Sequence, residues 1–442
     1  MYRWIFLGLL ALLVPTLASA LRSNPRLLPK VGFAIGFLPF FISMHLYVAP
    51  YAWLGWLGLA KGFEVSILDG IALAVIFSTR PVRTPSILKI GFGIYFGACL
   101  FATARATQPV ASLFYDWQLL RLVILFMAAS RATAANRDVP KGIVAGLGTA
   151  VLIQAVEVLR QFAGGAIQAS GTVGHQNLLG TLTNASVMSA FGLLLANRGS
   201  GFYGTVVLAG AFVVLLGASR ASLALFALGL LLTLVFSIRN RRSSRKIAFG
   251  AVAAVSLLAA VPVMMWAVNR RPEAARESSN EQRDAMKEAA QMIFADYPLG
   301  VGPNAYVFVA NVGGYSERAG VVWASDIRSN PVHNSYYLTL AEAGFVGLFG
   351  LLFLLGSFFV IGFRALRNPL SRAEFGNVVG LFAGVVIAAV HAWFEWVSLT
   401  YQMDSVLAIG MGAVIGQIAR RKVAVPLSTP SVGPRDLMPT VA

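Results

Sequence analysis

The sequence has few charged residues. Only 12% of its 442 residues are Asp, Glu, Lys or Arg, whereas 57% are hydrophobic and the mean hydropathy is +0.72. A soluble domain has about 25% charged residues and could not bury this much apolar surface. Long apolar blocks alternate with short polar ones, and such blocks must be helices because lipid satisfies no backbone hydrogen-bonding group. The composition therefore predicts an all-α, polytopic transmembrane helix bundle.

Cysteine and clustered histidine are also scarce. The one cysteine, Cys99, lies inside an apolar block, so the chain has no internal disulfide framework and no cysteine zinc site. The four histidines are too scattered for a motif such as His-Glu-x-x-His. We therefore predict no metal ion and no cofactor. These histidines are His45, His175, His333 and His391.

Negative charge is the scarcer sign, and the formal net charge is +17. Most of the excess Lys and Arg falls in short loops between apolar blocks, where the positive-inside bias of membrane proteins explains it. Nucleic acid is therefore not predicted as a partner. The bias places the loops at 132–141 and 239–246, and the C-terminus, in the cytoplasm. The segments 163–176, 269–334 and 395–403, and the turn at Ser219–Arg220, then face outward.

Thirteen apolar blocks are candidate spans. Because thirteen crossings would put the ends on opposite sides, we expect that part of 4–50 does not cross fully, giving about 12 spans with both termini inside. The segment 1–20 also resembles a signal peptide, and cleavage there stays an alternative. The blocks are 4–21, 32–50, 64–79, 87–104, 112–131, 142–162, 177–196, 202–218, 221–238, 247–268, 340–363, 376–396 and 404–419.

Four regions follow from this pattern. Residues 1–268 form a transmembrane bundle, 269–334 a large outer loop, and 335–422 the C-terminal transmembrane helices. Residues 423–442, rich in Pro, Ser and Thr, are predicted to be a disordered cytoplasmic tail.

The large outer loop is longer than most connections, and such loops are usually functional or disordered. A helix is predicted over about 279–295, and Arg276, Arg283 and Lys287 would share one of its faces at spacings of seven and four. These cations could bind an anion or form a solvated face paired with neighbouring carboxylates.

Two further features of the loop suggest chemistry. The run 296–304, with Gly302 and Asn304, predicts a turn that could cradle phosphate with its backbone N–H groups or simply end a helix. His333 stands where the loop enters the next membrane helix. It is either a structural histidine or a proton acceptor, since its unperturbed pKa of about 6.5 suits that task.

The order of motifs around this loop resembles the O-antigen ligase and O-antigen polymerase superfamily. His333-Asn334 is followed after nine residues by Gly344-Phe345-Val346-Gly347, as in the superfamily signature. The run Pro298–Asn304 resembles its Leu-Gly-x-Gly turn, and Ser219-Arg220 its arginine at an outer membrane turn. The segment 171–180 with His175 and Asn177 resembles its Gly-x5-Asn-x2-Gly pattern. The resemblance covers about residues 165–350.

The resemblance implies a polytopic glycosyltransferase-like enzyme of the bacterial inner membrane, active on the periplasmic face. Its donor would be a polysaccharide on undecaprenyl diphosphate, and its acceptor a sugar hydroxyl of the lipid A–core. An O-antigen polymerase and a ligase acting on protein hydroxyls share much of the pattern. A transporter is a rival of another class, because ionisable residues lie in or near spans. These are Asp69, Asp116, Arg121, Glu157 and Glu395.

Each residue type has a plausible part in such a transfer. Negative charge grows on the leaving diphosphate, and fixed arginines match phosphate oxygens, so we expect Arg220 and Arg283 to act there. Either Arg220 does this or it is a snorkelling anchor. His333 would take the acceptor proton or contact the diphosphate, and Asn334 would orient the imidazole or cap a helix. Substrate-binding roles are expected for Asn334, Arg276, Lys287, His175, Asn177, Gly302 and Asn304.

Overall fold

The computed structural model describes residues 2–42, 44, 46–196, 201–240, 242–251, 262, 265, 269, 273–367, 371–397 and 400–424. Helices dominate this part of the chain, and 244–251 are helical as well. The labelled helices are α1 (Tyr2–Ser23), α2 (Leu28–Phe37), α3 (Ile67–Ser78), α4 (Ser86–Arg105), α5 (Pro109–Ala135), α6 (Val139–Ala163), α7 (Gln176–Ala196), α8 (Gly201–Gly217), α9 (Arg220–Asn240), α10 (Glu273–Asp296), α11 (Tyr306–Val312), α12 (Tyr315–Arg318), α13 (Ser325–Arg328), α14 (Ser335–Arg367), α15 (Arg372–His391) and α16 (Tyr401–Ala424).

The predicted all-α, polytopic membrane architecture is confirmed. Among the described residues, nine helices are long and apolar enough to cross a membrane, and α3 and α8 are shorter apolar helices. The predicted span 247–268 lies mostly outside the described residues, as does most of the predicted tail. The nine are α1, α4, α5, α6, α7, α9, α14, α15 and α16.

The predicted span 32–50 is not one helix. Helix α2 ends at Phe37 and a 3₁₀ turn covers Leu38–Phe40. Pro39 has no N–H with which to continue the α-helical ladder. The chain then forms the antiparallel pair β1 (Tyr47–Val48) and β2 (Val65–Ser66) before α3 begins. The prediction of one spanning helix over 32–50 is therefore wrong.

The centre of the bundle is α7, which is buried along nearly its whole length. It packs against α8, α9 and α15. A Cβ atom added to Gly192 would lie 2.6 Å from the backbone of Gly380, so α7 and α15 approach at contact distance. Small residues allow such close helix packing in membranes, where van der Waals contact replaces the hydrophobic effect. The core therefore fixes the start of α7 and the end of α15, from which site residues emerge.

The outer loop is anchored to a kink in α14. Gly344 has φ 70° and ψ −172°, outside the helical region, and Gly300 has φ 89°. The two glycines meet backbone to backbone: Phe345 N–H donates to the carbonyl of Pro298 at 3.1 Å, and Gly302 N–H donates to the carbonyl of Glu342 at 2.9 Å. A side chain at either glycine would collide with the other segment. The motifs resembling the superfamily thus join the end of α10 to the membrane helix α14.

Candidate functional site

One large cavity lies at the end of the bundle where α7, α9 and α14 begin. Its volume is about 1120 Å³. Five separate segments line it, and all five fall in or beside regions predicted to face outward. The polar residues in its lining are Gln168, His175, Gln176, Asn177, Ser219, Arg220, Ser278, Ser279, Asn280, Gln282, Arg283, Asp284, Lys287, Asn330, His333 and Glu395.

Glu395 connects these segments. Its side chain is 7% exposed, and its Oε1 accepts a hydrogen bond from Arg283 Nη2 at 2.9 Å and another from Asn177 Nδ2. Its Oε2 lies 3.0 Å from Nδ1 of His333. One carboxylate therefore ties together α7, α10, the start of α14 and the segment after α15.

The charge state of Glu395 follows from these partners. Burial by itself would raise the pKa of Glu395, but the hydrogen bond from His333 and the charges of His333 and Arg283 lower it to about 2. An ionised carboxylate only accepts hydrogen bonds. His333 must then donate from Nδ1, which leaves Nε2 as the imidazole nitrogen that can accept a proton.

Hydrogen bonds fix the backbone around His333 as well as its ring. Asn334 is fully buried, and its Oδ1 accepts hydrogen bonds from the N–H groups of Tyr336 at 3.0 Å and Tyr337 at 3.1 Å. Its Nδ2 donates to the carbonyl of Trp393 at 2.9 Å. Asn334 is thus a helix cap that fixes His333 at the mouth of α14. Asn334 is absent from the cavity lining, so substrate contact by its side chain stays a prediction that this packing does not support.

The predicted helix of the outer loop is confirmed and longer than expected, as α10. Its Arg283 bridges to Glu395 and also donates to the carbonyl of Phe394 at 2.9 Å. Lys287 lines the cavity one turn on but pairs with Asp284 at 2.7 Å. The side chain of Arg276 lies outside the described residues. The predicted cationic face therefore reaches the cavity, with its charges partly matched.

Arg220 differs from these cations. It is exposed, begins α9, and donates from Nη2 to Oδ1 of Asn280 at 2.8 Å. Among the described residues no carboxylate lies within ion-pair distance of it. Arg220, Ser219 and Ala221 all line the cavity, so the positive end of α9 faces it as well. An uncompensated guanidinium beside a helix N-terminus favours binding of an anion.

His175 and Asn177 also reach the site, from the start of α7. The ring of His175 lies 5.5 Å from that of Trp396, and the ring of His333 lies 6.3 Å from the same tryptophan. Burial lowers the pKa of His175, and the nearby Glu395 only partly offsets this. His175 is therefore neutral near neutral pH. His391 is fully buried beneath the site, where it contacts the hydroxyl of Thr181 and packs within the bundle.

Gly302 and Asn304 are not brought to the cavity. Asn304 is 1% exposed, and its side chain donates to the carbonyls of Ala60 at 2.7 Å and Ala111 at 3.0 Å. Gly302 packs against Ala106 and Ser112. The turn holds the outer loop to α5 and to the segment before α3. Phosphate binding there remains a prediction that the packing does not support.

Glu395 is the site residue that sequence reasoning missed. In the sequence it is one of several ionisable residues in or near spans. The available signal was its place at the outward end of a predicted span, where a carboxylate needs a partner. His391, one helical turn earlier, was a second signal, since i and i+4 positions share a helix face.

The cavity also has an apolar wall on α9. Ala224, Leu225 and Leu228 line it below Arg220. Leu228 is 37% exposed, and Leu231, less than one turn further along α9, is 56% exposed. The polar end of the cavity is thus continuous with an exposed apolar surface of the membrane helix α9. This arrangement is suited to a molecule with a charged head and a lipid tail.

One comparison with known proteins finds a match in the middle of the chain. Residues 204–352 match the family model described as O-antigen ligase. The matched region contains Arg220, Arg283 and His333, whereas His175 and Glu395 lie outside it. A comparison with curated proteins finds no match.

Proposed function

We propose that this chain is a member of the O-antigen ligase family and transfers a polysaccharide from undecaprenyl diphosphate to a sugar hydroxyl of the lipid A–core, on the periplasmic face of the bacterial inner membrane. One observation supports this most. A single cavity combines an arginine without a carboxylate partner among the described residues, an imidazole oriented by a buried carboxylate, and an apolar wall along a membrane helix. These match, in turn, a diphosphate, a sugar hydroxyl and a lipid tail.

His333 is the proposed general base. The Nδ1 hydrogen bond to Glu395 fixes the ring and its tautomer, so Nε2 accepts the acceptor hydroxyl's proton as that oxygen attacks the anomeric carbon. Glu395 stays ionised and stabilises the imidazolium that forms. It acts through His333 and is therefore a positioning residue.

Arg220 and Arg283 are the proposed counter-charges for the leaving group. As the bond between the anomeric carbon and the diphosphate oxygen breaks, its electron pair stays on the diphosphate. Guanidinium groups fixed around that position stabilise the added charge without rearranging. Arg220 supplies the unmatched charge, while Arg283, held by Glu395 and Phe394, couples the phosphate side to the base. Lys287 extends the cationic face of α10 along the cavity, and a substrate-binding role for Arg276 stays a prediction.

A direct displacement with inversion is the proposed course. Retention needs a carboxylate nucleophile beside the anomeric carbon and a second carboxyl group about 5 Å away. Among the described residues, the carboxylates that line the cavity are Glu395, which is occupied by three partners, and Asp284, which is 73% exposed and paired with Lys287. We further propose that the cations of the site do this work with no metal ion and no cofactor.

The test is transfer with purified components. The full chain in lipid nanodiscs is mixed with lipid-diphosphate-linked polysaccharide and lipid A–core, and the linkage formed is analysed by NMR. We expect polymer on the core with inverted anomeric configuration, and unchanged activity in a chelator. A retained configuration would refute direct displacement, and loss of activity in chelator with recovery on adding a divalent ion would refute metal independence.

Acceptor choice tests the substrate assignment within the family. Parallel reactions offer a single lipid-linked repeat unit or a protein hydroxyl in place of lipid A–core. We expect transfer to lipid A–core alone. Elongation of the repeat unit would identify a polymerase, and modified protein would identify a protein-directed ligase.

A further inference from the structure

Trp323 is an exposed aromatic side chain of the outer loop, in a segment that also contributes to the cavity lining. It is 79% exposed, the highest value for a large hydrophobic side chain in the described part of the chain. It belongs to the segment 320–330 of the outer loop, whose Ile327 and Asn330 line the cavity. Tryptophan offers a large contact area with a polar N–H at its edge, and it is enriched at binding interfaces.

The side chain of Arg328 supports this indole ring. The guanidinium carbon of Arg328 lies 4.0 Å from the ring centre of Trp323. Arg328 is 8% exposed, and its Nη2 and Nε donate to the carbonyls of Val321 at 2.7 Å and Val322 at 3.3 Å. The cation therefore covers one face of the ring, while most of the side chain of Trp323 stays exposed.

The segment that contains Trp323 and Arg328 is hydrogen-bonded to the wall of the cavity. Val322 N–H donates to Oε1 of Gln282 at 2.9 Å, and Gln282 lines the cavity on α10. On the other side, Asn311 Nδ2 donates to the carbonyl of Arg328 at 2.8 Å. These anchors belong to the polar outer loop rather than to a membrane helix. The segment that carries Trp323 is therefore fixed beside the cavity wall by residues of the outer loop.

We propose that Trp323 is a stacking platform for a saccharide ring of the donor polymer or of the acceptor core. This inference rests on the proposed function, which brings two long sugar chains to one site. A cavity of about 1120 Å³ holds only a few sugar rings, so both chains must leave it across the rim. A pyranose ring has an apolar C–H face, and a tryptophan offers it a large, flat, electron-rich surface.

The binding test uses soluble sugars and needs no turnover. Core oligosaccharide freed from lipid A, and polysaccharide freed from its lipid, are titrated separately onto the full chain in nanodiscs, with saturation-transfer NMR as the readout. We expect Trp323→Ala to weaken one of the two by about 2- to 10-fold and Trp323→Phe to retain most of the affinity. The sugar affected identifies which chain crosses the platform.

The matched control is Trp53→Ala, which removes another exposed tryptophan, 37% exposed, outside the cavity lining. Thermal unfolding of each variant shows that the fold is intact. In the transfer assay, Trp323→Ala should raise the KM of the same sugar substrate and leave kcat at saturation unchanged. Equal affinities and equal KM values in Trp323→Ala and Trp53→Ala would overturn the proposed stacking role of Trp323.

A membrane contact is the competing result. Brominated phospholipids quench tryptophans that touch lipid, so wild type and Trp323→Phe are compared in such nanodiscs. Weaker fractional quenching in wild type than in Trp323→Phe agrees with a water-facing Trp323, because the residue removed is then one that lipid does not quench. Stronger quenching in wild type would assign Trp323 to the membrane and overturn the proposal. Absence of any transfer by wild type would instead refute the proposed function, since the soluble-sugar titration is independent of it.

Discussion

Two buried arginine–carboxylate clusters stand out in this apolar protein, and they differ in what they leave unsatisfied. The site cluster consists of His175, Asn177, Arg283, His333 and Glu395. A second cluster, here the Arg121 cluster, joins Arg121 on α5 to the start of α3 and of α16. Its members are Glu64, Ser66, Asp69, Arg121 and Tyr401.

The Arg121 cluster is closed. The guanidinium of Arg121 is 2% exposed and donates to Oδ2 of Asp69 at 3.0 and 2.8 Å, with Glu64 at 3.6 Å. Its carbon lies 3.7 Å from the ring centre of Tyr401, whose hydroxyl donates to the other oxygen of Asp69 at 2.8 Å. Within the described residues each charge thus has an opposite charge beside it. Such a group holds helices together and exposes no cation to a substrate, although the side chain of Glu64 is 28% exposed.

The site cluster is open. The side chains of Arg283 and His333 are 27% and 15% exposed, and both line the cavity. Arg220 adds a cation with no carboxylate partner among the described residues. Ionisable residues near membrane spans are therefore not equivalent. Closed clusters stabilise helix packing, whereas open ones are suited to chemistry. Variants of the closed cluster should therefore lose thermal stability, and variants of the open cluster should lose activity.

Loss of the base should produce the largest effect on activity. We expect His333→Ala to lower the transfer rate by about 10²- to 10⁴-fold, because it removes the proton acceptor, with little change in thermal stability. Added imidazole should restore part of the rate, since Glu395 remains to orient it. Initial rates with purified substrates measure both effects. A rate within twofold of wild type would remove His333 from the mechanism.

The Arg121 cluster should show the opposite pattern. Arg121→Met leaves Asp69 and Glu64 without their cation, and loss of one partner of a buried pair costs about 3–5 kcal/mol. We expect a clear drop in the thermal unfolding midpoint, while protein that remains folded keeps a near-normal kcat. The control is Arg131→Ala on the same helix, whose arginine donates to the carbonyl of Ile76. An unchanged midpoint for Arg121→Met would show that the closed cluster is not a brace.

The amino-acid sequence predicted which elements meet but not how their polar atoms pair. The hydropathy pattern placed 163–176, Ser219–Arg220, 269–334 and 395–403 on one side, and the cavity is built from these regions. The helical spacing of Arg283 and Lys287 placed both on one face of α10, as the structure has them. Local periodicity suffices for such features because it depends only on neighbouring residues.

Long-range pairing could not be predicted in this way. The partners of Glu395 are His333 and Asn177, 62 and 218 residues away along the chain. The turn with Gly302 and Asn304 has the composition of a phosphate loop. The side chain of Asn304 nevertheless donates hydrogen bonds to α5 and to the segment before α3. Composition indicates that a turn exists, and only the packed fold determines whether substrate or protein satisfies its polar groups.

Arg220 should affect activity less than His333 but more than other outward arginines. We expect Arg220→Ala to lower the rate by about 10²- to 10³-fold through loss of one fixed charge at the leaving group. Arg220→Lys should recover part of it, because lysine keeps the charge but not the forked geometry. Arg160→Ala, an exposed arginine of α6 outside the cavity lining, is the control for net charge. Equal rates for the two alanine variants would refute a specific role.

Glu395→Gln should have a smaller effect, because it alters a positioning group. The substitution keeps the shape of the side chain but loses the charge that fixes the tautomer of His333 and holds Arg283. Partners that orient metal-binding histidines typically contribute about 10- to 100-fold, and we expect a loss of similar size for this histidine. We expect that loss in kcat with little change in either KM. A large rise in KM alone would indicate that Glu395 contacts substrate instead.

The smallest expected effect is the dependence of stability on pH. The pKa of Glu395 falls from 4.5 to about 2 on folding, so the unfolded chain binds this proton at a higher pH than the folded one. Its stabilising contribution is complete above about pH 4.5 and is lost as the pH falls toward 2. The difference in unfolding midpoint between wild type and Glu395→Gln should therefore stay constant from about pH 8 to 5 and shrink below. Asp284→Asn, at the same cavity but 73% exposed, should show a much smaller difference throughout. A Glu395→Gln difference that persists undiminished near pH 2 would mean that the carboxylate is not held ionised by His333 and Arg283, and the tautomer assigned to His333 would lose its basis.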